Sequence, residues 1–99
     1  MITSSAVIQT LDELRNYVNN ILCEHNEFEV GAFPLTERIL LRSERPCGIF
    51  FCLHGPRAVQ LTAIWETQRN TVLFYGSTGE RFHKLQLVEA PTLESADGA

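Results

Sequence analysis

Three cysteines and three histidines are the residues of this 99-residue chain best equipped for chemistry, and their spacing decides which chemistry is open. Cys52 and His54 stand two apart in an apolar run that reads as a strand, so both project from one face. Such a pair suits a thiolate nucleophile with an imidazole base, provided a third group orients the ring. Cys47 precedes them, Cys23 and His25 close a helical pattern, and His83 falls in a later strand. A soft-metal site needs three or four such ligands converging on one point, and neither Cys-x-x-Cys nor His-x-x-x-His occurs. The spacing predicts no metal and no cofactor.

Carboxylates are missing where catalysis would use them. Residues 36–84 contain no Asp, and Glu37, Glu44, Glu66 and Glu80 fall at strand ends or turns. That pattern argues against Ser-His-Asp triads, two-carboxylate hydrolases and magnesium-assisted phosphoryl transfer. Gly76-Ser77-Thr78-Gly79 joins two strands, so it reads as a hairpin turn rather than a phosphate cradle. The chain is therefore expected not to be an enzyme, and a Cys/His enzyme around Cys52 and His54 is the catalytic alternative.

The arginines suggest a second chemistry. Arg45, Arg57, Arg69 and Arg81 each fall in or beside a turn between strands. Turns alternate between the two ends of a meander, which puts Arg57 and Arg81 at one end with His54, Ser77 and Thr78 nearby. Two guanidiniums two strands apart suit an anionic small molecule or an acidic peptide. Exposed loop tips, or charges that guard sheet edges against aggregation, explain the same pattern without a ligand.

These groups are positioned by a simple series of elements. Thr10 is a helix N-cap, with Glu13 in place for a reciprocal bond and Asp12 and Glu13 favoured in the first turn by the helix dipole. Leu11, Leu14, Val18, Ile21 and Leu22 follow at helical spacing, and Glu24-His25-Asn26 ends the helix. Five apolar, β-branched runs come next: Ile39 to Leu41, Ile49 to Leu53, Val59 to Trp65, Val72 to Tyr75 and Phe82 to Leu87. Connections this short join only antiparallel neighbours. The predicted fold is α+β, with one N-terminal helix packed across a five-stranded antiparallel meander over residues 10–88. That arrangement is similar in architecture to helix-gripping folds of the cystatin and PepSY kind, a likeness that implies a fold and no activity. Residues 1–9 read as a frayed lead-in and residues 89–99 as a disordered acidic tail.

Alternation assigns the faces. Val59, Leu61, Ala63 and Trp65 share one side with Ile49, Phe51 and Leu53, and Ile39 and Leu41 are expected to extend this core under the helix. Leu40, Phe50, Cys52, Ala58, Thr62 and Ile64 then point away from the helix, joined by Leu73 and Tyr75 or by Val72 and Phe74. The registers of the fourth and fifth strands stay open, because the fourth is apolar on both sides. One helix covers one sheet face, so a second apolar face calls for a partner, a second copy, or a terminus folded back over it.

Composition bounds the rest. With 44% apolar and 20% charged residues the chain makes one small globular domain, and a stability of about 5–10 kcal/mol is ordinary for its size. An odd, sparse cysteine set and no secretory or membrane-spanning pattern predict reduced thiols and a cytoplasmic protein. The net charge of −4 is unevenly spread: the sheet region is mildly basic, and the helix and tail are acidic. A pI near 5.3 and a single lysine argue against nucleic acid, although Phe50, Trp65, Phe74, Tyr75 and Phe82 interleave with the arginines. The expected function is a small interaction domain that binds a protein partner or a second copy through the outer sheet face or an edge strand. Leu40, Phe50, Cys52, Thr62, Ile64 and Tyr75 are its candidate contact residues.

Overall fold

The computed structural model describes residues 2–93. Its elements run β1 (Ile2–Val7), α1 (Leu11–His25), β2 (Leu35–Arg42), β3 (Arg45–His54), a 3-10 turn (Pro56–Ala58), β4 (Gln60–Glu66), β5 (Thr71–Tyr75) and β6 (Arg81–Glu89). The strands form one mixed sheet in the order β1-β6-β5-β4-β3-β2. β2 to β6 make the expected antiparallel meander, and β1 adds a sixth strand, parallel to β6. The fold is thus α+β, but the sheet is six-stranded and mixed rather than five-stranded and antiparallel. Within the stretch expected to be a frayed lead-in, Ile2–Val7 pairs with His83–Glu89.

The helix forms where the stripe and cap require. Thr10 accepts from the Glu13 amide at 3.1 Å, and Glu13 reaches back to the Gln9 amide at 2.8 Å, one residue before the expected partner. Leu14, Val18 and Leu22 are wholly buried against β3 and β4. Arg15 leans toward one flank, where it forks onto Glu37 of β2 at 2.6 and 2.8 Å. On the other flank His25 stacks on Phe82 of β6 with ring centroids 3.6 Å apart. α1 therefore crosses the sheet obliquely, and residues 26–34 return the chain to the opposite edge.

The inner sheet face contributes Ile49, Phe51 and Leu53 from β3, and Leu61, Ala63 and Trp65 from β4, all buried as alternation requires. The open registers resolve with Val72 and Phe74 inward and Leu73 and Tyr75 outward. In β6, Leu85 and Leu87 point inward. A bulge between Phe74 and Tyr75 opposes Phe82 as an extra residue, and both Phe82 and His83 lie on the helix side. Ile39 and Leu41 do not extend the core: they are 36% and 62% exposed, because α1 packs on β3 and β4 and leaves this half of β2 uncovered.

Of the expected tail, Glu89 ends β6 and Leu93 is buried at the core margin; residues 94–99 lie outside the described residues. Among the described residues no helix is long and apolar enough to cross a membrane.

Candidate interaction face

Strand register places the outer residues in cross-strand rows. The central row runs Arg38, Phe50, Ile64, Leu73, Lys84 and Thr3 from β2 to β1. Beside it run Thr36, Cys52, Thr62, Tyr75 and Arg81 on one side, and Leu40, Gly48, Glu66, Thr71, Gln86 and Ser5 on the other. Phe50, Ile64, Leu73 and Tyr75 are each partly exposed and adjacent in register, so the apolar surface they do present is continuous across three strands. Cations bracket the apolar strip at both ends. Arg38 lies over the Phe50 ring at 5.6 Å, which holds its guanidinium at the margin of the patch. Glu66 is the acid of this face, and Arg69 stands 3.8 Å from it.

All six sequence-derived contact residues, Leu40, Phe50, Cys52, Thr62, Ile64 and Tyr75, lie on this face. Cys52 is buried between its neighbours and offers little surface. Leu73 joins them, a residue that alternation alone left open because β5 is apolar on both sides.

The Cys52/His54 pair is also on this face. The His54 Nε2 atom is 2.9 Å from the Thr36 hydroxyl, and a shallow cavity of about 370 Å³ opens among Thr36, Arg38, Phe50, Cys52 and His54. Burial pushes the Cys52 thiol up from its ordinary value, which disfavours the thiolate that nucleophilic attack needs. Among the described residues no cluster of three or more His, Cys, Asp or Glu side chains could hold a metal ion.

Arg57 and Arg81 do project from the same end of the sheet, both exposed, the first from the 3-10 turn and the second from the start of β6. The turn between them has its own acid. The Thr78 hydroxyl donates to the Glu80 carboxylate, the Gly76 amide donates to the Glu80 carbonyl at 2.8 Å, and the Glu80 side chain packs over Gly76. An anion approaching Ser77 and Thr78 meets this carboxylate.

One arrangement has no counterpart in the sequence reading. The Ser4 hydroxyl and His83 Nε2 are 2.8 Å apart, at the wall of a cleft of about 370 Å³ between β1 and α1 that Tyr17, Asn20, Ile21 and Glu24 complete. It was invisible because it depends on β1. Burial holds the His83 imidazole below its ordinary value of 6.5, so the folded state favours the neutral ring. The unfolded chain then binds more protons once the pH falls below that value. His83 therefore costs nothing well above pH 6.5, and it removes stability as pH falls through 6.5 toward the depressed folded value. Thermal melts from pH 7.5 down to pH 5.5 are expected to show a fall in Tm that His83→Gln flattens. An unchanged slope in that variant would assign the dependence elsewhere.

Compared with known proteins, the chain matches no family model, no curated protein sequence and no solved structure.

Proposed function

We propose that this chain is a small non-catalytic interaction domain whose outer sheet face binds a protein partner. The observation that supports the reading is the partly exposed apolar strip Phe50–Ile64–Leu73, bracketed by Arg38 and Lys84 in a single cross-strand row. A row of that kind fits an apolar surface rimmed with carboxylates, where the aliphatic and aromatic centre supplies affinity and the basic ends set orientation.

Charge also separates a foreign partner from a face-to-face stack of two copies. A two-fold axis along the strands lays Arg38 over Lys84, and an in-plane axis across them lays Arg38 over Arg38. Either aligned stack opposes cations at both ends of the strip.

Panning a random peptide library against the immobilised chain tests the proposal. Enriched sequences are expected to alternate apolar and acidic residues. Ile64→Glu with Leu73→Glu is expected to weaken their binding by about 100-fold, the loss of a central contact cluster, while the circular-dichroism spectrum stays native at a Tm lowered by two carboxylates that face each other across β4 and β5. Enrichment of peptides indifferent to both substitutions would remove the outer face from the account.

A further inference from the structure

We infer that the chain forms a two-fold dimer through antiparallel pairing of β2 with β2 of a second copy, centred on Glu37. The inference goes beyond the outer-face reading, since it uses an edge of the sheet and a different occupant.

The hydrogen-bond parity of β2 is fixed by one contact and the register. The His54 amide donates to the Pro34 carbonyl at 3.0 Å, so residues 34 and 54 are a hydrogen-bonded pair. Antiparallel ladders alternate, and the register continues unshifted through Thr36↔Cys52, Arg38↔Phe50 and Ile39↔Ile49. Thr36 and Arg38 thus spend their main-chain groups on β3. Leu35, Glu37 and Ile39 turn theirs to the open edge, where each offers an N–H and a C=O. β2 is the last strand on its side of the sheet, and no strand among the described residues takes these groups.

Self-pairing has few allowed registers. A two-fold axis normal to the sheet keeps each side chain on its own face, so it must pass through a residue and not between residues. An axis through Arg38 would set guanidinium against guanidinium. An axis through Ile39 would set the Glu37 carboxylate beside Leu41. Through Glu37, the edge-facing residues of one copy meet those of the other: Leu35 opposes the second copy's Ile39, Ile39 opposes its Leu35, and Glu37 opposes its Glu37. About six main-chain bonds form, two for each such pair.

The side chains fit the same register. Leu35 and Ile39 cover one another on the helix side, where the helix leaves Ile39 exposed. The two Glu37 carboxylates at the axis would repel if bare, but each already holds an Arg15 guanidinium at 2.6 and 2.8 Å. Each Arg15 also holds Asp12 at 2.6 Å, so the paired Glu37 side chains meet inside a cluster of two guanidiniums and four carboxylates. The pairing also closes: it uses up β2 in both copies, so it stops at two chains.

Parity supplies a sharp test. Proline at Ile39 removes an amide that faces the edge, whereas proline at Arg38 removes one that the monomer needs. Sedimentation equilibrium at about 100 µM chain is expected to give twice 11.2 kDa for the native protein. Ile39→Pro is expected to give the monomer mass with a native circular-dichroism spectrum, and Arg38→Pro to unfold. Ile39→Glu, which keeps the backbone amide and adds a third like charge beside the paired Glu37 side chains, is expected to dissociate the dimer too, and it decides the matter if the proline variant fails to fold. The Ile64→Glu, Leu73→Glu variant is expected to remain dimeric. A monomeric native protein overturns the inference, as does a dimer that survives Ile39→Glu. So does one that dissolves on the outer-face substitutions alone, a result that would leave the outer face itself in use.

Discussion

Gly48→Ala is expected to destabilise the protein by about 3 kcal/mol, the upper part of the range for forcing atoms into packed space. Gly48 lies inside β3, opposite Glu66 of β4 and Leu40 of β2, and it is buried. A methyl group there would run into the main-chain carbonyl oxygen of Trp65, with the Trp65 carbonyl carbon 3.3 Å away behind it. The obstacle is backbone in a central strand, so no rotamer change relieves it. Relief requires β3 and β4 to separate at that point, beside Trp65, one of the largest wholly buried side chains. Gly76→Ala is the natural contrast, because the atoms nearest its added methyl belong to the movable Glu80 side chain. Urea unfolding of both variants checks this. The midpoint of Gly48→Ala should drop far more than that of Gly76→Ala, with similar slopes. Equal midpoints would mean that the strands accommodate the methyl freely and that the close approach carries no structural weight.

Phe51→Ala should cost about 4 kcal/mol, by loss of buried apolar surface and by the cavity left behind. Phe51 is wholly buried on the inner face of β3, flanked by Ala63 on β4 and Glu37 on β2. Its direct cross-strand neighbour on β4 is Ala63, which is too small to fill the gap. The loss is comparable with the whole stability of a domain this size, about 5–10 kcal/mol. Phe51→Leu, which keeps most of the volume, should lose much less. Equilibrium denaturation of the pair measures the difference. A cost for Phe51→Ala no larger than for Phe51→Leu would place the centre of the core elsewhere.

The parts of the fold legible in the sequence were those governed by local periodicity. Leu14, Val18 and Leu22 repeat at the helical interval and are buried together. β3 and β4 alternate cleanly, so Ile49, Phe51, Leu53, Leu61, Ala63 and Trp65 were assignable to the inner face, and the outer row followed by subtraction. β5 was not assignable, because Val72-Leu73-Phe74-Tyr75 is apolar on both sides and only its neighbours choose the register. β6 hid a bulge, which brings Phe82 and His83 to the same side and which strict alternation cannot express. β1 left no signal at all. Ile2-Thr-Ser-Ser-Ala-Val has neither alternation nor bulk, and it becomes a strand only because β6 offers it a paired edge. The Ser4–His83 contact shares that origin. Ile39 and Leu41 read as core by pattern and are exposed by geometry, since periodicity reports a face and not what covers it.

The pairing of Ile2 with His83 has a consequence for biosynthesis. β1 is made before the other strands of the sheet and can be seated only after them, because its docking strand β6 is translated after β2 to β5. Until then β1 has no strand to pair with, and a chain cut short before Arg81 would leave it unpaired. Translation and completion of the sheet are thereby tied to a single late event.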